Sequence, residues 1–157
     1  MTTLAAGSPA PDFELPDQDG KPRRLNDLLL EGPVVLFFYP AADTPGCTME
    51  SCHFRDLSAE FGAAGVQRVG VSRDSVDLQR AFAGKHRLDF PLLSDEDGAV
   101  AESYGVKRGL LGRLLPVKRT TFVIGTEGVI REVIRSELNM SVHADEALAV
   151  LAGDLHA

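Results

Sequence analysis

A chain of 157 residues, 44% hydrophobic and 25% charged, has the apolar material for one globular domain, 1–157, and too much of it for a disordered chain. Its formal net charge of -7 argues against nonspecific binding to DNA or RNA, which needs a basic face. No apolar run approaches the ~20 residues of a membrane span, and no Lys or Arg precedes Lys21, so neither a membrane segment nor a secretory leader is expected and the compartment is predicted to be cytoplasmic.

Phe13 to Leu15 and Arg23 to Leu25 flank Asp17-Gln18-Asp19-Gly20, which predicts an N-terminal β-hairpin. Asn26 is placed to cap a short helix through Leu30, ended by Gly32-Pro33. Val34 to Tyr39 is apolar at every position, the pattern of a central strand covered on both faces. A helix is predicted from about Cys47 to Ala64, with Phe54, Leu57 and Phe61 inward, and Gly65 breaking it. Val66 to Val71 reads as a second strand. Ser75 caps a helix whose Leu78, Ala81 and Phe82 are predicted to face the core. Phe90 to Ser94 is extended, and Ala99 to Tyr104 is a short helix stopped by Gly105. Thr120 to Ile124 and Val129 to Ile134 form strands around Thr126-Glu127-Gly128, and a last helix runs from Ser141 to Leu155. This order predicts an α/β sandwich with a central mixed sheet flanked by helices. Residues 106–118 fit no element and read as an ordered loop on the core or a flap near the site.

Residues 40 to 56 hold both cysteines. A strand, a Pro-Gly turn and then Cys47 place a thiol at a helix N-terminus, where free N–H groups favour the thiolate, the nucleophilic form. Thr44 lies three residues earlier, where its hydroxyl can reach the thiolate or an oxygen bound beside it, and Pro40 can shield the sulfur from water. Cys52 follows five positions later. On an ideal helix that spacing separates the Cα atoms by roughly 8.7 Å, whereas a disulfide requires less than about 7 Å. Any cycle that uses both thiols therefore needs two conformations, one of them locally unwound. Structural zinc wants four ligands at paired short spacings, which two cysteines with scattered His53, His86, His143 and His156 do not supply. Two inert buried cysteines are the bland alternative.

The run Pro40-x-x-x-Thr44-x-x-Cys47 resembles the peroxiredoxin active-site motif. The longer stretch Asp43-Thr44-Pro45-Gly46-Cys47-Thr48-x-Glu50-x-Cys52-x-Phe54-Arg55-Asp56 is similar to the peroxiredoxin Q branch, also called bacterioferritin comigratory protein. Weaker likenesses at Gly7 to Phe13, at Val69 to Ser72 and at Arg119 to Ile124 extend it over nearly the whole chain. The resemblance implies a thioredoxin-like fold and reduction of hydrogen peroxide and organic hydroperoxides. It makes Cys47 the peroxidatic cysteine, Thr44 a hydrogen-bonding partner of the substrate oxygen, Pro40 a cover over the site and Arg119 the active-site arginine. It makes Cys52 the resolving cysteine, pairing with Cys47 in an intramolecular disulfide that thioredoxin or a similar dithiol reduces. It implies no flavin, haem or metal cofactor, and a monomer.

Lys118 and Arg113 are rival cations to Arg119. Glu50 either favours the first helical turn or orders the site. His53 either assists Cys52 or is simply solvated. Gly125 departs from the acidic residue many relatives carry there. Two other function classes stay in view. A protein thiol–disulfide oxidoreductase lacks its Cys-x-x-Cys here, and a redox sensor or holdase would use the Leu110 to Leu115 patch.

Overall fold

The computed structural model describes residues 3–107, 117–136, 139 and 141–155, with side chains through 151. β1 (Glu14–Pro16) and β2 (Pro22–Arg24) pair antiparallel as the predicted hairpin. Asp17 closes its turn by accepting the N–H groups of Asp19 at 2.8 Å and Lys21 at 3.0 Å. α1 (Leu25–Leu28) follows at once. Its N-cap is Arg24 rather than Asn26, whose own N–H is taken by Asp12 Oδ1 at 3.0 Å.

The central strand is β3 (Val34–Phe38), buried at every position. It pairs parallel with β4 (Gln67–Ser72) and antiparallel with β6 (Thr120–Ile124). With β5 (Leu92–Ser94) and β7 (Ile130–Arg135) the sheet runs β5-β4-β3-β6-β7. Side chains of a strand alternate between faces. Leu36 and Phe38 accordingly enter one core with Phe13, Leu25, Tyr104 and Phe122. Val35 and Phe37 enter the other with Phe54, Phe61 and Phe82. α2 (Pro45–Asp56), α3 (Ser58–Ala64), α4 (Val76–His86) and α6 (Val142–Leu155) supply that second layer. α1 and α5 (Ala99–Ser103) cover the first. This is the expected α/β architecture, a mixed sheet between helices with a thioredoxin-like order. Among the described residues no helix is long and apolar enough to cross a membrane.

Two further expectations are corrected. The single helix predicted from Cys47 to Ala64 is two, broken at Leu57 (φ -95, ψ 18). The Phe54 carbonyl, which a continuous helix would offer to Ser58, accepts from Arg68 Nη1 at 2.8 Å. α4 keeps its Ser75 cap, whose hydroxyl accepts the Leu78 N–H, and its predicted inward Phe82, but not Leu78 and Ala81. Leu78 is 56% exposed and Ala81 is exposed, while Gln79, Phe82 and Ala83 are buried. The helix turns inward one residue later because the Gln79 amide is saturated inside. It accepts from Tyr39 Oη at 2.5 Å and donates to Ser72 Oγ and the Leu93 carbonyl, both at 2.9 Å. A buried polar group can hold a core position when its hydrogen bonds are met there. Arg113 and the Leu110 to Leu115 patch lie outside the described residues, which resume where Val117 bridges Lys107.

Phe54 packs α2 on the sheet, its ring stacked on Phe37 at 4.2 Å and 12°. Phe54→Ala is expected to lower the unfolding free energy by about 3–5 kcal/mol in a denaturant titration. A loss under about 1 kcal/mol would show that α2 is anchored elsewhere.

Candidate active site

The parallel strands β3 and β4 end at the same edge of the sheet, where ligands gather in open α/β folds. Pro40 is buried just past β3, and the chain then turns through Ala41 to Thr44 into α2. Asp43 takes φ 60, a left-handed conformation that Asp tolerates. Its carboxylate meets Lys85 Nζ at 3.1 Å and His86 Nε2 at 3.4 Å, contacts that hold it below the usual carboxylate range. Deeper in, Asp74 Oδ2 accepts the Ala42 N–H at 2.7 Å and the Ser72 hydroxyl at 2.6 Å. Through Ser72 and Gln79 the turn is therefore tied to Tyr39. Burial pushes the Tyr39 phenol up, so it stays protonated and remains a donor.

Thr44 is the N-cap of α2 by backbone conformation (φ -93, ψ 155), and Pro45 opens the helix. Its hydroxyl does not cap the helix. It donates instead to the Ala41 carbonyl at 2.8 Å, which leaves the oxygen's lone pairs as acceptors. Cys47 is the third residue of α2, fully buried, in the turn whose N–H groups lack helical partners. Cys52 is partly buried further along the same helix, and neither thiol is in a disulfide. Both cysteines are thus helical, as the helix predicted from about Cys47 implies.

β6 runs antiparallel beside β3, with Thr120 opposite Phe38. The residue before β6 therefore reaches the same edge as Pro40. Arg119 stands there, 6% exposed, and shares its strand face with Thr121 and Val123. Its guanidinium spans the site. Nη2 donates to Cys47 Sγ at 3.3 Å and Nη1 to Glu50 Oε1 at 2.9 Å. Burial opposes the charge, but Glu50 and the Cys47 sulfur outweigh it and hold Arg119 above its ordinary range. Lys118, the described rival, is exposed. Glu50, one turn beyond Cys47, is fully buried and brought onto the arginine, which favours the site-ordering alternative. His53 points elsewhere: its Nε2 meets Asp145 Oδ1 on α6 at 2.8 Å.

Sequence reasoning missed His143. It sits in the first turn of α6, fully buried, with Nε2 3.6 Å from Glu50 Oε2. A lone histidine 24 positions beyond Arg119 carries no motif. The available signal was the shared face of 119, 121 and 123, because Thr121 Oγ1 meets His143 Nδ1 at 2.8 Å. The tie from Asp74 to Ala42 was equally silent. Among the described residues no group of three or more His, Cys, Asp or Glu could hold a metal ion.

A thiol at a helix start, a buried arginine on its sulfur and a thioredoxin-like sheet define a thiol-redox class of protein. Residues 6–133 match the model of the AhpC/TSA family. Peroxidoxin BcpB from Mycobacterium tuberculosis is 60% identical, covering 96% of this chain and 97% of that one, with a TM-score of 0.91. The chloroplastic peroxiredoxin Q of Sedum lineare is 43% identical over 148 residues, 94% of this chain and 78% of the relative. The bacterioferritin comigratory protein of Xanthomonas campestris, whose structures are described for its alkyl peroxide reduction, is 34% identical with a TM-score of 0.81, covering 90% of this chain and 91% of that one. The chain belongs to the AhpC/TSA family, in its peroxiredoxin Q or bacterioferritin comigratory protein branch. That membership supports a thiol peroxidase, an enzyme that takes hydroperoxides and a thiol reductant.

Proposed function

We propose that this protein is a cytoplasmic two-cysteine peroxidase in which Cys47 attacks the peroxide and Cys52 resolves the product. The contact from Arg119 Nη2 to Cys47 Sγ, 3.3 Å, is the observation that carries the reading. It sets a fixed cation where sulfur and two oxygens share negative charge in the transition state. The Cys47 thiolate attacks the hydroxyl oxygen of ROOH, the O–O bond breaks, and the other oxygen leaves and takes a proton from solvent to become ROH. Cys47 is oxidised to a sulfenic acid and the peroxide is reduced. The Thr44 oxygen, its own proton committed to Ala41, accepts a hydrogen bond from the peroxide O–H. Pro40 closes the site on the strand side.

The Cys52 thiol then displaces the hydroxyl of the sulfenic acid, forming the disulfide and releasing water. Both cysteines lie in one helix, so the turn between them unwinds for this step. An external dithiol such as thioredoxin reduces the disulfide and is itself oxidised. The alkyl peroxide reduction described for the Xanthomonas protein supports organic hydroperoxides as substrates beside hydrogen peroxide. The protein acts as a monomer, with no nucleic acid or membrane partner.

The test is peroxide loss with catalytic thioredoxin, its reductase and NADPH. Wild type is expected to turn over many times and, when oxidised, to lose two hydrogens in mass with no added oxygen. Cys52→Ser is expected to form one sulfenic acid, trapped by a carbon nucleophile, and to recycle at least about tenfold more slowly with thioredoxin. An oxidised wild type lacking the intramolecular disulfide would remove the role given to Cys52.

A further inference from the structure

We propose that His143 is a positioning residue for the peroxide reaction, acting through Glu50 to hold the Arg119 guanidinium on the Cys47 sulfur. The inference rests on the reading of Cys47 as the thiol that attacks peroxide.

The contacts form one line from α6 to the thiol. His143 Nε2 lies 2.9 Å from the Ser136 carbonyl, just beyond β7. A carbonyl only accepts, so Nε2 carries a hydrogen. The same nitrogen lies 3.6 Å from Glu50 Oε2, an electrostatic contact longer than a hydrogen bond. On the other side of the ring, Nδ1 is engaged by the Thr121 hydroxyl at 2.8 Å, which fixes the ring's plane. Glu50 Oε1 accepts from Arg119 Nη1, and Arg119 Nη2 donates to Cys47 Sγ. His143, Glu50 and Cys47 are each 0% exposed and Arg119 is 6% exposed, so water screens none of these contacts well.

The orientation of Glu50 matters because its terminal torsion is soft. Rotation of a carboxylate about that bond meets no sharp staggered wells. A partner on each oxygen, from a strand edge and from α6, fixes the carboxylate plane. The guanidinium, planar and forked, follows that plane. Its second nitrogen is the one on the sulfur. A shift of about 1 Å at reacting atoms can cost roughly a hundredfold in rate. The histidine thus reaches the chemistry without touching peroxide or sulfur. A purely structural role, pinning α6 to β6 and β7 through Thr121 and Ser136, predicts a different outcome.

Methionine and glutamine are near-isosteres: glutamine carries an N–H near the histidine Nε2 and a carbonyl that can meet the Thr121 hydroxyl, and methionine carries neither. The experiment compares His143→Met and His143→Gln with the parent in a Cys52→Ser background, where Cys47 is the remaining cysteine. Two single-turnover rates are measured, oxidation by hydrogen peroxide and alkylation by iodoacetamide, together with the melting temperature. Alkylation needs the thiolate but no stabilisation of a departing oxygen, so it depends less on where the guanidinium sits. His143→Met is expected to slow peroxide oxidation roughly thirtyfold while alkylation changes by less than about threefold. His143→Gln is expected to keep the peroxide rate within about threefold of the parent. The proposal is overturned by a Met protein as fast with peroxide as the parent, by parallel loss of both rates, or by a Gln protein as slow as the Met one. Should the Met protein fail to fold, a Gln protein that folds decides alone: a peroxide rate more than tenfold below the parent overturns the proposal. A parent that does not react with peroxide at all overturns the reading of Cys47 instead, and shows it in the first measurement.

Discussion

Cys47→Ser is expected to reduce peroxide consumption to the uncatalysed background at every reductant concentration. The serine hydroxyl occupies nearly the same volume but is not a nucleophile without a base to take its proton. Arg119, the group on the sulfur, is a fixed cation and cannot serve as that base. No sulfenic acid can form, and Cys52, though on the same helix, lacks the arginine contact described for Cys47. The fold should persist, because Cys47 contributes one small side chain to a core that also holds Phe37, Phe54, Phe61 and Phe82. The check is the coupled peroxide assay beside a thermal melt. Sustained turnover by a folded Cys47→Ser protein would falsify the proposed mechanism.

Arg119→Met is expected to slow Cys47 oxidation by peroxide by about 10²–10³-fold, the usual effect of removing a preorganised donor from a developing anion. It is also expected to destabilise the protein by about 3–5 kcal/mol, since it takes one partner from a buried charge pair. The two effects separate in the double variant Arg119→Met, Glu50→Gln. Neutralising Glu50 should recover most of the stability and none of the rate. Arg119→Lys should fall between, because a single ammonium cannot address Glu50 and the sulfur with the geometry of a fork. Stopped-flow oxidation in a Cys52→Ser background and denaturant unfolding measure the two quantities. A double variant that regained rate with stability would mean that Arg119 acts by holding the fold.

Much of this site was legible because its signals are local. Pro45-Gly46 before Cys47 marks a helix start, and the unbroken apolar run from Val34 marks a strand with helices on both sides. Arg119 was found from its likeness to the family's arginine before the late strand, and register with β3 brings it to the thiol. What stayed hidden is polar and remote. Gln79 is hydrophilic by composition, yet it is buried because Tyr39, Ser72 and the Leu93 carbonyl meet its amide from three strands or their ends. That shifts α4 by one position from the face that Leu78 and Ala81 suggest. His143 is hidden for the same reason, since its partners Thr121, Ser136 and Glu50 come from different elements. The break at Leu57 depends on Arg68 arriving from β4. Periodicity records where apolar side chains go, and it cannot register a polar one whose partners arrive from elsewhere.

The fastenings of α2 also bear on survival of the enzyme. Phe54 is stacked on Phe37, its carbonyl is held by Arg68, Arg55 Nη1 donates to the His86 carbonyl at 2.7 Å, and His53 grips Asp145. In the proposed cycle the sulfenic acid waits at Cys47 until the turn opens. During that wait a second peroxide competes with Cys52 for the same sulfur and carries it to the sulfinic acid, which ordinary thiols do not reduce. These contacts therefore act as a timer. Every bond that steadies the helix lengthens the interval, and the peroxide concentration at which the enzyme inactivates itself falls in proportion.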